Sequence, residues 1–567
     1  MKKTLSVLLC IIMLFVSTAV CASAEGATIK MTVASDIHYN LNISGAEKLS
    51  KRNSISEDYF HVSMSGDLPA ESLAIVKAFF DRAAASDSDY VLLTGDLVDS
   101  GIKAGHEAFA LMLKEFEAKT GKRVFVVPGN HDLYGVSAAE FSSIYADFGY
   151  NEALAKDSKS ISYTVELKGG YRLLVIDSTN PGESGHGITA ERIEWIKTQC
   201  NKAKSDGKYL VVAMHHNLLE RTSAATFLHG DTTVDTSLGI ADILADAGVR
   251  FVFTGHSHIQ DVAAYKSAAG NTVYEVVTAS LNSYPLPYRV VSFGSQTSID
   301  TVNIDKIDTS LVPDGMSEKA FALMEKDLLK YSKTCFELAV NQQTRNVVSE
   351  NSLKKYLEID EEKNPEIALI ADEAISRMAE ALIMPLYVKD EVEKGKSLQR
   401  ILATYDVLLP ETDCKTMAEL ATLFYIAFTE GDENYTFYSY EVFAFTRGMS
   451  AVINYGLADT TGEDYAQIMS YLTSFSKFTV PAGVFSYAGD GVAKFRGIET
   501  YIATCITPVV ASYTTDDAPA DNDVVLEGYE PAPPAAEEKE KSFWEKIADF
   551  FKRVYDYLMS IFTYYDK

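Results

Sequence analysis

The chain has 567 residues and a formal net charge of −28, with 51 basic side chains against 79 acidic ones. That length exceeds the needs of one small domain and suits two or three. A surface this acidic repels nucleic acid and anionic membranes, so a phosphate-bearing ligand has to be drawn by a local positive centre, and bound metal is the obvious means.

Residues 1–24 read as an export signal. Lys2 and Lys3 form its charged start, Leu5 to Val16 its apolar core and Ala22-Ser23-Ala24 a small-residue cleavage site. The mature chain is expected to start near Glu25 and to be secreted or held in the cell envelope. Cleavage would remove Cys10 and Cys21 and leave Cys200, Cys335, Cys414 and Cys505. No C-x-x-C spacing joins them, which excludes a zinc knuckle and a thioredoxin-like motif, and export permits disulfides without assigning a pair.

Short strands rich in Val, Ile, Leu and Phe follow: Thr28 to Ala34, Tyr90 to Thr94, Val124 to Val127, Arg172 to Ile176, Leu210 to Ala213 and Arg250 to Thr254. Helical stretches lie between several of them, such as residues 70–85 and 106–120. Continuous apolar strands alternating with helices point to a buried sheet in an α/β domain over residues 25–310. "NTVYEVVTAS" and "YRVVSFGS" add two late strands. From 311 to 513 helical periodicity takes over, and a mainly α-helical domain is expected. Residues 514–541 are proline-rich and acidic and read as an exposed linker. In 542–567, Ser542 and Glu545 form a capping box, and Trp544, Ile547, Phe551, Val554, Leu558 and Ile561 make an apolar stripe. That stripe would seat on a membrane surface, a partner helix or the body of the protein through residues 542–562.

All ten histidines lie between residues 38 and 258. Several follow the strands in company with acids and an amide: Asp36 and His38; Asp96 and Asp99; Asn130 and His131; His215 and His216; His256 and His258. Ligands bind at the carboxyl ends of strands in open α/β sheets, so these five segments are expected to converge on one rim. Imidazoles and carboxylates with one amide oxygen suit borderline divalent metals, and the set exceeds the needs of one tetrahedral ion. Two ions sharing a carboxylate would use it fully.

In that order and spacing, D-x-H, G-D-x-x-D, G-N-H-D, H-H and G-H-x-H resemble the calcineurin-like metallophosphoesterase superfamily over residues 28 to 300. The resemblance implies a four-layer sandwich of two mixed β-sheets flanked by helices, in place of a plain doubly wound sheet. It implies one metal on Asp36, His38 and His258, a second on Asn130, His215 and His256, and Asp96 bridging. Manganese, iron and zinc all fit this donor set. His131 would protonate the leaving group and Asp99 would orient His131, while a hydroxide between the metals attacks the phosphorus of a small phosphate ester. Ser100 and Asp132 replace the arginine and glutamate of the protein phosphatases, and no counterpart of the purple acid phosphatase tyrosine is evident. The pattern leans toward phosphodiesterases. The alternative is a surface interaction protein that keeps the fold as a scaffold and uses the helical region for contacts. His106 reads as a cap or surface residue, the role of His216 is open, and His61, His186 and His229 fall in loops. Lys48, Lys51 and Arg52 are placed to steer an anion or to stand solvated.

Overall fold

The computed structural model describes residues 29–49, 62–63, 65–180, 185–220, 233–234, 236–347, 365–388, 396–432, 434–436, 438–458, 496–500, 502–503, 507 and 519–529. The export signal and the segment 542–567 lie outside these residues.

Thirteen strands form two sheets among the described residues. The first has the order β13 (Val524–Glu527), β12 (Gln296–Asn303), β11 (Pro287–Phe293), β1 (Ile29–Ala34), β2 (Tyr90–Leu93) and β3 (Arg123–Val126). The second runs β4 (Ala155–Lys156), β5 (Tyr163–Glu166), β6 (Tyr171–Val175), β7 (Tyr209–Ala213), β8 (Phe251–Thr254), β10 (Thr272–Val277) and β9 (Asp261–Lys266). Both are mixed: β1, β2 and β3 run parallel, as do β6, β7, β8 and β10, while β11, β12, β9 and β5 pair antiparallel with their neighbours.

The period of two along each strand assigns side chains to opposite faces. Tyr171, Leu173, Val175, Val211, Ala213, Phe251 and Phe253 join the core shared with the first sheet. Their neighbours Leu174, Leu210, Val212 and Val252 pack with Ile193, Ile196 and Cys200 of a covering helix, Ala190–Ser205. On the first sheet the cover comes from α1 (Ser72–Ala85) and α2 (Lys103–Thr120), through Ile75, Phe79, Phe109 and Leu113. Helix, sheet, sheet and helix are thus stacked, which is the four-layer arrangement rather than a single doubly wound sheet.

Two expected boundaries need correction. Helices α4 (Glu318–Lys326) and α5 (Leu328–Val347), numbered after the covering helix α3, lie beyond the 310/311 boundary. Yet Ala320, Met324, Leu328, Tyr331, Cys335 and Ala339 belong to the same core as the sheets. Among the described residues a separate helical core lies further on, where α6 (Pro365–Leu382), α7 (Met417–Glu430) and α8 (Tyr440–Gly456) gather Ala381, Met417, Leu420, Ala444 and Val452 around Leu402. Secondly, part of the 514–541 stretch is not linker. It returns as β13, and Tyr529 buries its ring among Tyr171, Tyr209 and Phe251 while donating to the Leu210 carbonyl at 2.6 Å. The fully buried Arg289 fastens the same segment, donating to the carbonyls of Asp521 and, at 2.7 Å, Val277.

Cys200, Cys335 and Cys414 are free thiols. Among the described residues no helix is long and apolar enough to cross a membrane.

Candidate active site

The two sheets meet at their carboxyl rim, where Ser35 after β1 bridges Ser280 after β10. Backbone bonds carry the contact along the rim: Asp36 N–H reaches Gly95 O, His38 N–H reaches Asp96 O, and Gly255 N–H reaches His215 O. The glycines of the motifs permit this closeness. A Cβ on Gly255 would lie 1.8 Å from Ser35 Oγ and 2.5 Å from Asp36 Oδ2, and one on Gly129 would lie 2.2 Å from Asp96 Oδ1.

Backbone strain is concentrated here. Asp36 (φ 48°), His38 (43°), Asp96 (50°), His256 (66°) and His258 (57°) all occupy the left-handed region, which residues with a Cβ rarely adopt. Such conformations persist only where surrounding structure enforces them, and they cluster at functional sites.

Three sets of side chains each bring one donor atom apiece within 4.8 Å of one another: Asp36, His38 and His258; Asp96, His215 and His256; and His38, Asp96 and His131. In the first, His258 Nε2 lies 3.1 Å from His38 Nε2 and 3.4 Å from Asp36 Oδ1. In the second, His215 Nε2 lies 3.2 Å from Asp96 Oδ2 and 3.1 Å from Asn130 Oδ1. The same Asp96 oxygen is 3.9 Å from His38 Nε2, so it stands between the two groups. Its other oxygen accepts from the His131 N–H at 2.8 Å. Asn130 is oriented by donating its amide to Tyr134 Oη at 3.0 Å, which turns Oδ1 toward His215.

Burial would raise Asp36, but the neighbouring His258 holds it down to about 2, and Asp96 is likewise driven well below the usual range by His215 and His131 despite its burial. Burial would lower His215 and His258, yet the carboxylates of Asp96 and Asp36 respectively lift each to about 9. His38 and His256, whose burial dominates, are lowered. The buried carboxylates thus favour a proton on His215 and on His258. Divalent cations would displace those protons and meet imidazole, carboxylate and amide donors suited to manganese, iron or zinc. The residues present fit a metal pair.

Asp99 sits differently from expectation. It reaches His131 through its main-chain carbonyl, which accepts from Nδ1 at 2.6 Å, and any residue could offer that group. Its carboxylate instead accepts from Asn40 Nδ2 at 2.8 Å and lies 3.7 Å from His38 Nδ1. Asp132 is buried and ties down the turn, accepting from Val98 and Gly129 N–H at 3.1 and 2.9 Å; burial and the nearby Asp96 push its carboxyl up to about 7. His216 pairs with Ser178 Oγ at 2.9 Å, and its ring lies 4.4 Å from His256. His106 is neither cap nor surface. It is fully buried, bonded to Tyr145 Oη and the Asp132 carbonyl, both at 3.0 Å. His186 bridges Thr179 and belongs to none of the three sets, and Lys48 bridges Asp314. His61, Lys51, Arg52 and His229 lie outside the described residues. The sequence reading missed Asp67, a buried carboxylate 3.8 Å from His258 Nδ1.

Residues 29–260 match the family described as calcineurin-like phosphoesterase. That segment is a calcineurin-like phosphoesterase domain. The chain is 28% identical over 174 residues to the 3',5'-cyclic adenosine monophosphate phosphodiesterase CpdA of Haemophilus influenzae, covering 30% of this chain and 56% of that protein. It is 26% identical over 210 residues to a cAMP/cGMP dual specificity phosphodiesterase of Mycobacterium tuberculosis, covering 37% and 58%. It therefore spans little more than half the length of these curated relatives. Among solved structures it is similar to a dimetal phosphatase from Danio rerio, with a TM-score of 0.36 and 10% identity over 48% of this chain and 96% of the other.

Proposed function

We propose that the protein is a metal-dependent phosphohydrolase, exported from the cell, whose rim cluster cleaves a small phosphodiester. The observation that carries the reading is the position of Asp96 Oδ2, between His215 Nε2 at 3.2 Å and His38 Nε2 at 3.9 Å. A single carboxylate set between two imidazole-rich groups is what a shared pair of cations requires. Asp36, His38 and His258 would hold one cation, and Asn130, His215 and His256 the other, with Asp96 common to both. When bound, the pair supplies Lewis acidity that activates water and neutralises phosphoryl oxygens.

His131 is the proton donor. Its Nδ1 is occupied by the Asp99 carbonyl, so Nε2 is the nitrogen left to face a leaving oxygen. Its ring stands edge-on to His38, with centroids 4.7 Å apart, beside the first group. Preference for a diester is supported by the relatives, which are phosphodiesterases by name. Export is supported by the lysine-led apolar start of the chain and its Ala22-Ser23-Ala24 site.

Chelator-stripped protein should lose hydrolysis of bis-p-nitrophenyl phosphate, regain it with Mn²⁺, and turn over p-nitrophenyl phosphate more slowly than the diester. Turnover that survives chelation undiminished overturns the metal mechanism. Faster turnover of the monoester overturns the diester preference.

A further inference from the structure

The first ligand group has its inward nitrogens committed: His258 Nε2 faces Asp36 and His38. The opposite nitrogen, Nδ1, faces Asp67 Oδ1 at 3.8 Å. We infer that Asp67 is a positioning residue for His258, its charge holding the ring in the orientation that turns Nε2 toward a metal. The inference rests on the metal reading above and adds to it a carboxylate outside every motif of the family pattern.

The surroundings of Asp67 are built for a fixed carboxylate. Its side chain is only 6% exposed, and burying a carboxylate without partners is costly. Oδ2 accepts from Ser63 Oγ at 3.0 Å and Ser65 Oγ at 2.5 Å. Ser280 Oγ lies 3.3 Å from Oδ1 and shares its one hydrogen between that oxygen and the nearer Asp36 carbonyl at 2.8 Å. Two serine hydroxyls therefore hold Oδ2 and leave Oδ1 aimed at the imidazole. A metal-ligating histidine commonly gives its second N–H to a carboxylate, which orients the ring and makes the ligating nitrogen more basic.

The segment that carries Asp67 is held from outside the strand motifs. Leu68 N–H donates to Asn282 O at 2.9 Å. Gly66, at φ 90°, leaves no room for a Cβ, which would lie 2.4 Å from Phe336 of α5. Tyr331, also on α5, donates to the buried Glu71 at 2.6 Å. Thus α5 fixes the segment that backs His258, and a helix beyond the phosphoesterase motifs takes part in shaping the site.

The test is titration of the full-length chelator-stripped protein with Mn²⁺, comparing wild type with Asp67→Asn by calorimetry. The wild type should take two equivalents. In Asp67→Asn one equivalent should bind about 10- to 100-fold more weakly while the other is unchanged. A wild type that takes no pair of ions sinks the underlying metal reading instead. A wild-type pair with both equivalents unchanged in Asp67→Asn overturns the role of Asp67, and so does equal weakening of both, which marks a general scaffold effect. Should Asp67→Asn fail to fold, the Ser63→Ala/Ser65→Ala double variant frees Oδ2 and keeps the carboxylate. It should weaken the same single equivalent by a smaller factor, and no selective loss overturns the proposal.

Discussion

The two sheets bring different chemistry to the rim. The first, at the ends of β1, β2 and β3, supplies both carboxylates of the proposed metal set, its amide, one imidazole and His131. The second, at the ends of β7 and β8, supplies imidazoles alone: His215, His256 and His258. Neither margin holds a complete set. Asp36 and His38 need His258, and Asp96 needs His215 and His256, whereas the cluster of His38, Asp96 and His131 comes wholly from the first sheet. The candidate ligand groups therefore exist only when the sandwich is closed, while the proposed proton donor is placed by one sheet alone.

The sharpest way to break this division is Asp96→Ala. It removes the oxygen common to both groups, so metal analysis should show both ions lost. Turnover of bis-p-nitrophenyl phosphate should fall on the order of 10³-fold, as when a main electrostatic stabiliser is removed. His131→Ala should separate the two functions. Both ions should be retained, and kcat should fall by about 10²-fold for a diester with an alkyl leaving group. The fall should be smaller for p-nitrophenolate, which departs without full protonation. Loss of metal in His131→Ala would mean that the single-sheet cluster is a ligand group as well.

The smallest effect concerns stability. Burial lifts the Glu71 carboxyl from 4.5 to about 7, against the lowering pull of its hydrogen bond from Tyr331. The folded protein then holds a proton that the unfolded chain releases above 4.5. The stability tied to that proton is complete below 4.5 and is lost as pH rises through about 7. Thermal midpoints measured across that window should show this decline in the wild type. Glu71→Gln, which keeps an acceptor for Tyr331, should flatten it while leaving the rim unaltered.

Much of the site was legible because its residues follow strands. An apolar run that ends in Gly-Asp, Gly-Asn-His or Gly-His-x-His declares both the strand and the rim, and the structure brings Asp36, His38, Asp96, Asn130, His131, His215, His256 and His258 to one place. Asp67 was illegible for the complementary reason. It sits among serines in "HVSMSGDLP", after no strand, and long-range contacts with residues 280–283 and with α5 carry it to His258. Asp99 misled because a carbonyl and a carboxylate at one position look alike in sequence. His106 misled because its partners, Tyr145 and the Asp132 carbonyl, are set by tertiary packing. The helical period of α4 and α5 was visible, but periodicity cannot say against which core an apolar stripe packs.

The strand that seals the first sheet is supplied from more than two hundred residues further along the chain, beyond the helical region. β12 must wait, with one margin of N–H and C=O groups open, until the whole helical region has been made and residues 524–527 arrive. A fragment trimmed to the phosphoesterase motifs would carry that sticky margin permanently, together with the hole left by Tyr529. Its solubility would suffer even where its chemistry is intact.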